Sequence, residues 1–455
     1  MISRMGKQLT ENFAEFIFKV RFDELPKEVV HQTKRCMLDF LGVALAGSKT
    51  GLAPLVTKII YDSESKREAT IIGDGRKVSA LHAAFVNGVR GHTLDMDDGH
   101  RYANAHPGVA IIPASLAMAE KENVTGRELI EAITVGYEIF LRIATAINPS
   151  HLLKGFHTTG TVGPFGAAAA CSKILNLSKI EVKNALAIAG LQGAGLLEVA
   201  TSGQMMKPLH PGRAAEAGVL ASLLAKEGAG GPDLIFEGDK GFLKAFSESS
   251  DLGRMVTNLG NSFEIMNIYF KLHAACRHIH PSLDAILEIM NKNKIAIDEI
   301  DGIHINTYSI AYKLTGQNDA ADTELAAKFN LPVSIALALV YGKAGVDEYS
   351  IENIKNPLIQ KLAKKVTIEI DKKMDESYPN KRGASVKIKT SKGFYACEMD
   401  NPRGEPEFPF SDDELNDKFI QNSKKVLPME KINKLQEVLL NIEGNSVRTL
   451  MELAY

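Results

Sequence analysis

The chain has 455 residues, 45% hydrophobic and 24% charged, with a formal net charge of −2. That balance predicts a globular protein of two or three domains with no global basic field to attract nucleic acid or an anionic membrane. Trp is absent and aromatics make up only 7%, which argues against stacking platforms for bases or sugars. No uninterrupted apolar run is long enough to predict a membrane span.

The four cysteines, Cys36, Cys171, Cys276 and Cys397, are widely separated and form no CxxC pair. Zinc ribbons and cluster-binding loops therefore have no support, and a reducing cytoplasm is the expected setting. The N-terminus shows no apolar signal segment.

The first ~260 residues read as helices. Pro26 to Ala46 places Val29, Val30, Met37, Phe40, Leu41 and Leu45 at helical spacing, with Gly47 as a stop. Thr125 with Glu128, and Ser178 with Glu181, are capping boxes that predict helices over Leu129 to Ile147 and Ala185 to Leu191. An Ala-rich helix is predicted over 164–172 and another over Arg213 to Lys226. Gly190-Leu191-Gln192-Gly193-Ala194-Gly195 has the wrong spacing for a nucleotide loop and no preceding strand, so close packing is expected there.

The texture changes after Phe263. Gly302 to Tyr308 and Val366 to Asp371 alternate as strands, and Ser385–Thr390 faces Phe394–Met399 across Ser391-Lys392-Gly393 as a hairpin. Helical segments near Ala326 to Tyr341 and Ile351 to Ala363 lie between them. Ser411 and Glu414 form a third capping box, after which helix returns. The expected architecture is mainly α: an all-helical domain over 1–262 plus 404–455, with an α+β domain inserted over 263–403. Two junctions of that kind can act as hinges around a ligand cleft.

The residues between Gly91 and Gly108 are the most informative. They carry Asp95, Asp97 and Asp98 with His92, His100 and His106. Carboxylates this close resist ionising together, which pushes their pKa values apart as acid–base chemistry near neutral pH requires. The alternative is a solvated loop with a helix cap. Three further segments gather polar groups. Gly155-Phe156-His157-Thr158-Thr159-Gly160-Thr161 precedes a helix and could offer N–H groups to an anion. Lys207 and His210 stand just before the Arg213 helix, where they could neutralise a carboxylate, or form a surface turn. Lys271 to Pro281 carries Lys271, His273, Arg277, His278 and His280, a cationic rim for a polyanionic acid in preference to a metal site. The set suits cofactor-free proton removal α to a carboxylate, with cations offsetting the charge that develops.

These motifs resemble the MmgE/PrpD family, which includes 2-methylcitrate dehydratase, cis-aconitate decarboxylase and iminodisuccinate epimerase. The likeness rests on Asn87-Gly88, His92 to Asp98, His106-Pro107-Gly108, Gly155 to Thr161, Lys207 to Ala215, Cys276 to Pro281 and Pro402-Arg403-Gly404. It implies a large helical domain built from both chain ends with an α+β lid, and a metal-free homodimer acting on a small polycarboxylate. The resemblance assigns Asp95 and His106 as acid–base candidates. His157, Lys207 and His280 would hold carboxylates or shuttle the proton, and Arg277, His210 and Thr158 would bind substrate. No metal or cofactor is implied. Two positions depart from the decarboxylase- and dehydratase-like pattern: Gly99 stands where decarboxylase-like members carry Thr, and Val333 where a pocket Tyr is usual. Each removes a hydroxyl donor. The Cys276–Pro281 segment looks closer to the epimerase-like branch. Dehydration, epimerisation and decarboxylation all remain open, as does a silent binding protein on the same fold. Asp95-Met96-Asp97-Asp98 also matches the DxDD pattern of protonating terpene cyclases, but the aromatic-poor composition opposes that reading.

Overall fold

The computed structural model describes residues 8–201, 205–316 and 321–455. The chain divides into two units. The first comprises the residues up to Thr93, Asp97–Ile268 and Ser411–Tyr455; the second comprises Leu94–Met96 and Tyr269–Phe410. The excursion of Leu94–Met96 into the second unit has no counterpart in the sequence texture.

The first unit is helical apart from a few two-residue strands. Its central helices are α1 (Lys27–Gly47), α2 (Ala80–His92), α3 (Gly108–Glu122), α4 (Gly126–Ile147), α5 (Thr158–Ile174), α6 (Lys179–Gly190) and α7 (Leu209–Lys226). Thr125 and Ser178 cap α4 and α6 through the boxes with Glu128 and Glu181. α5 is buried on almost every face, so it carries an Ala- and Gly-rich sequence rather than an amphipathic stripe. It packs against α3, α4 and α7. Small residues set these distances. A Cβ on Gly88 of α2 would stand 2.9 Å from the Gly212 Cα of α7, and one on Gly136 of α4 2.9 Å from the Gly166 carbonyl of α5. The two chain ends share this core: the Asp412–Ser423 helix, capped by Ser411 and Glu414, packs on α1. Buried Lys418 and Asp39 pair there at 2.5 Å.

Two helix starts differ from the sequence reading. α5 begins at Thr158 rather than 164, with His157 as its N-cap residue and Pro164 inside. α7 begins at Leu209 rather than Arg213, so His210 lies in its first turn. Pro208, with φ −65°, is pre-set for a helix start, and the periodic pattern of later turns does not reveal it.

The second unit holds a four-stranded sheet: β1 (Ile300–Thr307), β2 (Val366–Ile370), β3 (Ala384–Thr390) and β4 (Gly393–Met399), in the order β2-β1-β3-β4. β1 runs parallel to β2 and antiparallel to β3, with Ile303 opposite both Val366 and Ile388. β3 and β4 form the expected hairpin. Ile303, Ile305, Val386 and Ile388 are buried on one face, on which α8 (His280–Asn293) packs. Each of the two long helical segments expected between the strands is broken in two. Asn330-Leu331-Pro332 restarts a helix as α9 (Leu331–Tyr341), and Asn356-Pro357 restarts another over Pro357–Ala363. In both, Asn caps and Pro occupies the first turn, an N-terminal signature that overrides continuous periodicity.

Candidate active site

α2 delivers His92 at its last helical position. A Cβ on Gly91 would stand 2.5 Å from the Phe40 ring, so only glycine lets the helix lie this close to α1. The chain re-enters the first unit at Asp97, whose carboxylate lies 2.9 Å from His92 Nδ1 and 3.2 Å from His106 Nδ1. His106 Nδ1 also lies 2.6 Å from the Asp98 carbonyl oxygen. A carbonyl only accepts, so Nδ1 carries a proton, and in the neutral ring Nε2 presents its lone pair. The His106 backbone N–H donates to Thr159 Oγ1 at 3.1 Å, tying the residue to the first turn of α5.

Asp98 lies behind this group. Its carboxyl accepts from Tyr137 Oη at 2.6 Å and from the Gly108 N–H at 3.1 Å. Burial raises its pKa to about 8, aided by repulsion from Asp39 and Asp97, against the pull of these two donors. Burial alone would also raise Asp97, but the imidazoles of His92 and His106 outweigh it and hold that carboxyl well below the usual range. The adjacent carboxylates are thus driven apart, one ionised and one inclined to keep its proton.

A row of imidazoles continues from here. The His92 ring lies 4.9 Å from that of His106 and 6.1 Å from that of His157, almost parallel to the latter. His157 Nδ1 meets His210 Nδ1 at 2.9 Å. His157 is held by its own N–H, which donates to the Gly195 carbonyl at 3.1 Å. Burial and the charge of Lys207 press His92 down to about 4 and His157 well below its ordinary range; His210 is lowered for the same reasons. These three rings are neutral near pH 7, with half-buried Lys207 as a standing positive charge among them. Thr158 is fully buried and receives Asn148 Nδ2 at 3.2 Å, which makes it part of the packing behind the site.

His92, Asp97 and His106 also offer donor atoms within 4.8 Å of one another, a spacing that a divalent ion would accept. Two N–H groups sharing one carboxylate give the same spacing, and His106 Nδ1 cannot ligate a metal while it donates to the Asp98 carbonyl.

The remaining sequence-derived candidates lie in the second unit. Asp95 adopts the left-handed region with φ 53°. Buried Lys271 grips it twice, at the carbonyl (2.8 Å) and at Oδ1 (3.2 Å). A non-glycine residue in this region is held by its surroundings, and the Lys271 ammonium is one of the groups that hold this one. Arg277 is buried against Glu405 at 3.1 Å and the Arg403 carbonyl at 3.0 Å, and lies over the Tyr269 ring. Its Nη1 donates to His280 Nδ1 at 3.1 Å, and His280 Nε2 donates to the Ala275 carbonyl at 3.1 Å. His280 is therefore a neutral Nε2–H tautomer with both nitrogens engaged. Burial and Arg277 keep its pKa well below the ordinary value.

In the sequence His92 and Asp97 stand within the acidic stretch with no role of their own. Their contact, five residues apart, was legible only as that cluster. Tyr137 and Glu405 left no local signal, since their partners Asp98 and Arg277 are 39 and 128 residues away.

Comparisons with known proteins agree with this assembly of motifs. Residues 11–255 match the MmgE/PrpD N-terminal domain and residues 273–443 the MmgE/PrpD C-terminal domain. A cis-aconitate decarboxylase-like protein of Aspergillus oryzae is 27% identical, covering 96% of this chain and 95% of its own. The cis-aconitate decarboxylase of Mus musculus is 28% identical over 96% and 91% of the two chains. A mitochondrial 2-methylcitrate dehydratase of Yarrowia lipolytica is 23% identical over 86% and 79%. With family domains matched across both parts of its length, the chain belongs to the MmgE/PrpD family.

Proposed function

We propose that this protein removes a proton α to a carboxylate of a small di- or tricarboxylic acid, as a hydro-lyase or an epimerase. The observation that carries the reading is the Asp97–His106 pair. The proton on Nδ1 leaves Nε2 of His106 as a base, and ionised Asp97 beside it offsets the imidazolium formed when the base takes a proton. Lys207 supplies a cation for a substrate carboxylate, worth more in a buried site than in water. His157 is placed to hold the acid or return the proton. Relatives named as decarboxylase and dehydratase support the lyase class and a small carboxylic acid as substrate.

Decarboxylation is the second reading, favoured by the names of the relatives at 27–28% identity. Against it, Gly99 and Val333 carry no hydroxyl to act as acid. Val333 lies in the first turn of α9, its N–H capped by Asn330 Oδ1 at 3.0 Å.

The test is a panel of citrate-like, aconitate-like and aspartate-like acids in deuterated water, followed by NMR. Exchange at the α-carbon with elimination or epimerisation supports the first reading, and loss of CO₂ without them supports the second. Tight binding with no exchange on any acid would favour a silent binding protein and overturn both.

A further inference from the structure

We propose that His210 is the outlet through which the buried His157 imidazole exchanges protons with solvent, and not a carboxylate ligand. This rests on the proton-transfer reading of the site. His157 is buried, and among the described residues its ring makes one hydrogen bond, Nδ1 to Nδ1 of His210 at 2.9 Å. Two nitrogens at that distance share one proton: whichever ring donates, the other accepts. His210 is half-buried in the first turn of α7, and among the described residues its Nε2 has no protein partner. It therefore joins a buried ring on one side to solvent on the other.

The close contact is built by small residues. A Cβ on Gly160 would stand 3.0 Å from His210 Cβ, and one on Gly195 3.4 Å from His210 Nδ1. A side chain at 160 would press on the Ala194 carbonyl as well as on His210, and Gly195 holds a backbone conformation, φ 152°, that other residues rarely adopt.

The step balances without a co-reactant. His157 gains a proton at Nε2 and releases the one on Nδ1. That proton bonds to His210 Nδ1, and His210 releases its own Nε2 proton to water. Both rings end neutral in the opposite tautomer, and a proton passing the other way restores them. Lys207 favours this shuttle because it disfavours a resting imidazolium on either ring. A carboxylate ligand, by contrast, would be served by a charged imidazole.

Two variants separate a relay from packing. His210→Gln keeps a hydrogen-bond partner for His157 but cannot pass a proton, and His210→Ala leaves a space. The first readout is ¹⁵N NMR of the His157 ring in resting protein, without substrate. Its N–H exchange with D₂O is expected to slow about 10-fold or more in both variants, and added imidazole is expected to restore it in His210→Ala alone. The second readout is turnover on an acid identified by the panel: kcat falls about 10-fold, below the 10²–10⁴ of a direct acid–base group, with KM unchanged. Wild-type exchange in His210→Gln, or no effect of imidazole on His210→Ala, overturns the proposal. If wild-type protein turns over none of the acids, the functional reading fails, while the resting-state exchange still decides the relay.

Discussion

Asp97 serves two imidazoles at once: its carboxylate lies 2.9 Å from Nδ1 of His92 and 3.2 Å from Nδ1 of His106. Such an arrangement fixes tautomers and stabilises positive charge formed on either ring. In Asp97→Asn a neutral amide replaces the carboxylate. We expect kcat to fall by roughly 10²–10⁴-fold with KM nearly unchanged, and His106→Gln to fall at least as far. Circular dichroism should show both variants folded. Near-wild-type turnover in His106→Gln would remove it as the base.

Lys207→Ala should act mainly on binding. A hydrogen bond to a charged group contributes about 1.5–3 kcal/mol, so KM is expected to rise roughly 10- to 100-fold. Steady-state kinetics on the best acid of the panel would show it. An unchanged KM would mean that another residue holds the carboxylate.

Stability should peak near pH 6.5. Below it, unfolded His92 and His157 bind protons that the native rings refuse, the native pKa of His92 being about 4. The unfolded state then holds more protons, and stability falls with pH at up to about 1.4 kcal/mol per unit for each group. Asp98 acts in the opposite sense. Its native pKa of about 8 lies above the unfolded value, so between the two the native state holds the extra proton and stability falls as pH rises. The imidazoles, lowered His210 and His280 among them, outweigh Asp98 in the acid range; above 6.5 Asp98 carries the fall to about 8, joined up to about 7 by buried Glu138, whose pKa is raised to about 7. Denaturant titrations at a series of pH values should show the acid slope flatten in His92→Gln and the alkaline slope flatten in Asp98→Asn.

Tyr137→Phe tests the support behind His106. It removes the 2.6 Å donor to buried Asp98, and an acceptor left without its partner costs about 1–3 kcal/mol. Gly108→Ala should be worse, because its Cβ would stand 2.5 Å from Tyr137 Oη and 2.8 Å from Asp98 Oδ1. Thermal melting would rank them. A Gly108→Ala protein as stable as wild type would mean that the α3 N-terminus yields more easily than its packing implies.

Chelation offers a check on the donor set of His92, Asp97 and His106. Dialysis against EDTA is expected to leave kcat unchanged, and added Zn²⁺ to inhibit by competing for the shared carboxylate. Activity lost to EDTA and restored by a divalent ion would reassign the three residues as metal ligands.

Much of this molecule was written locally. Three capping boxes, the β-hairpin and the change of texture near Phe263 depend on neighbours a few residues apart, so sequence alone determined the mainly helical class and an α+β segment within it. The histidines and carboxylates of Gly91–Gly108 were equally visible as a group of unusual density. The tertiary structure decided which of them meet. His92 and Asp97 pair because α2 ends where close packing on α1 requires Gly91. His157 meets His210 because two helix starts converge, each earlier than periodicity suggests. Asp98 is inclined to keep its proton because the fold buries it, against the pull of the Tyr137 hydroxyl brought in from far along the chain. Periodicity and capping are short-range and leave a trace in sequence; burial, tautomer and charge coupling come from residues brought together across the fold, and sequence spacing does not encode them.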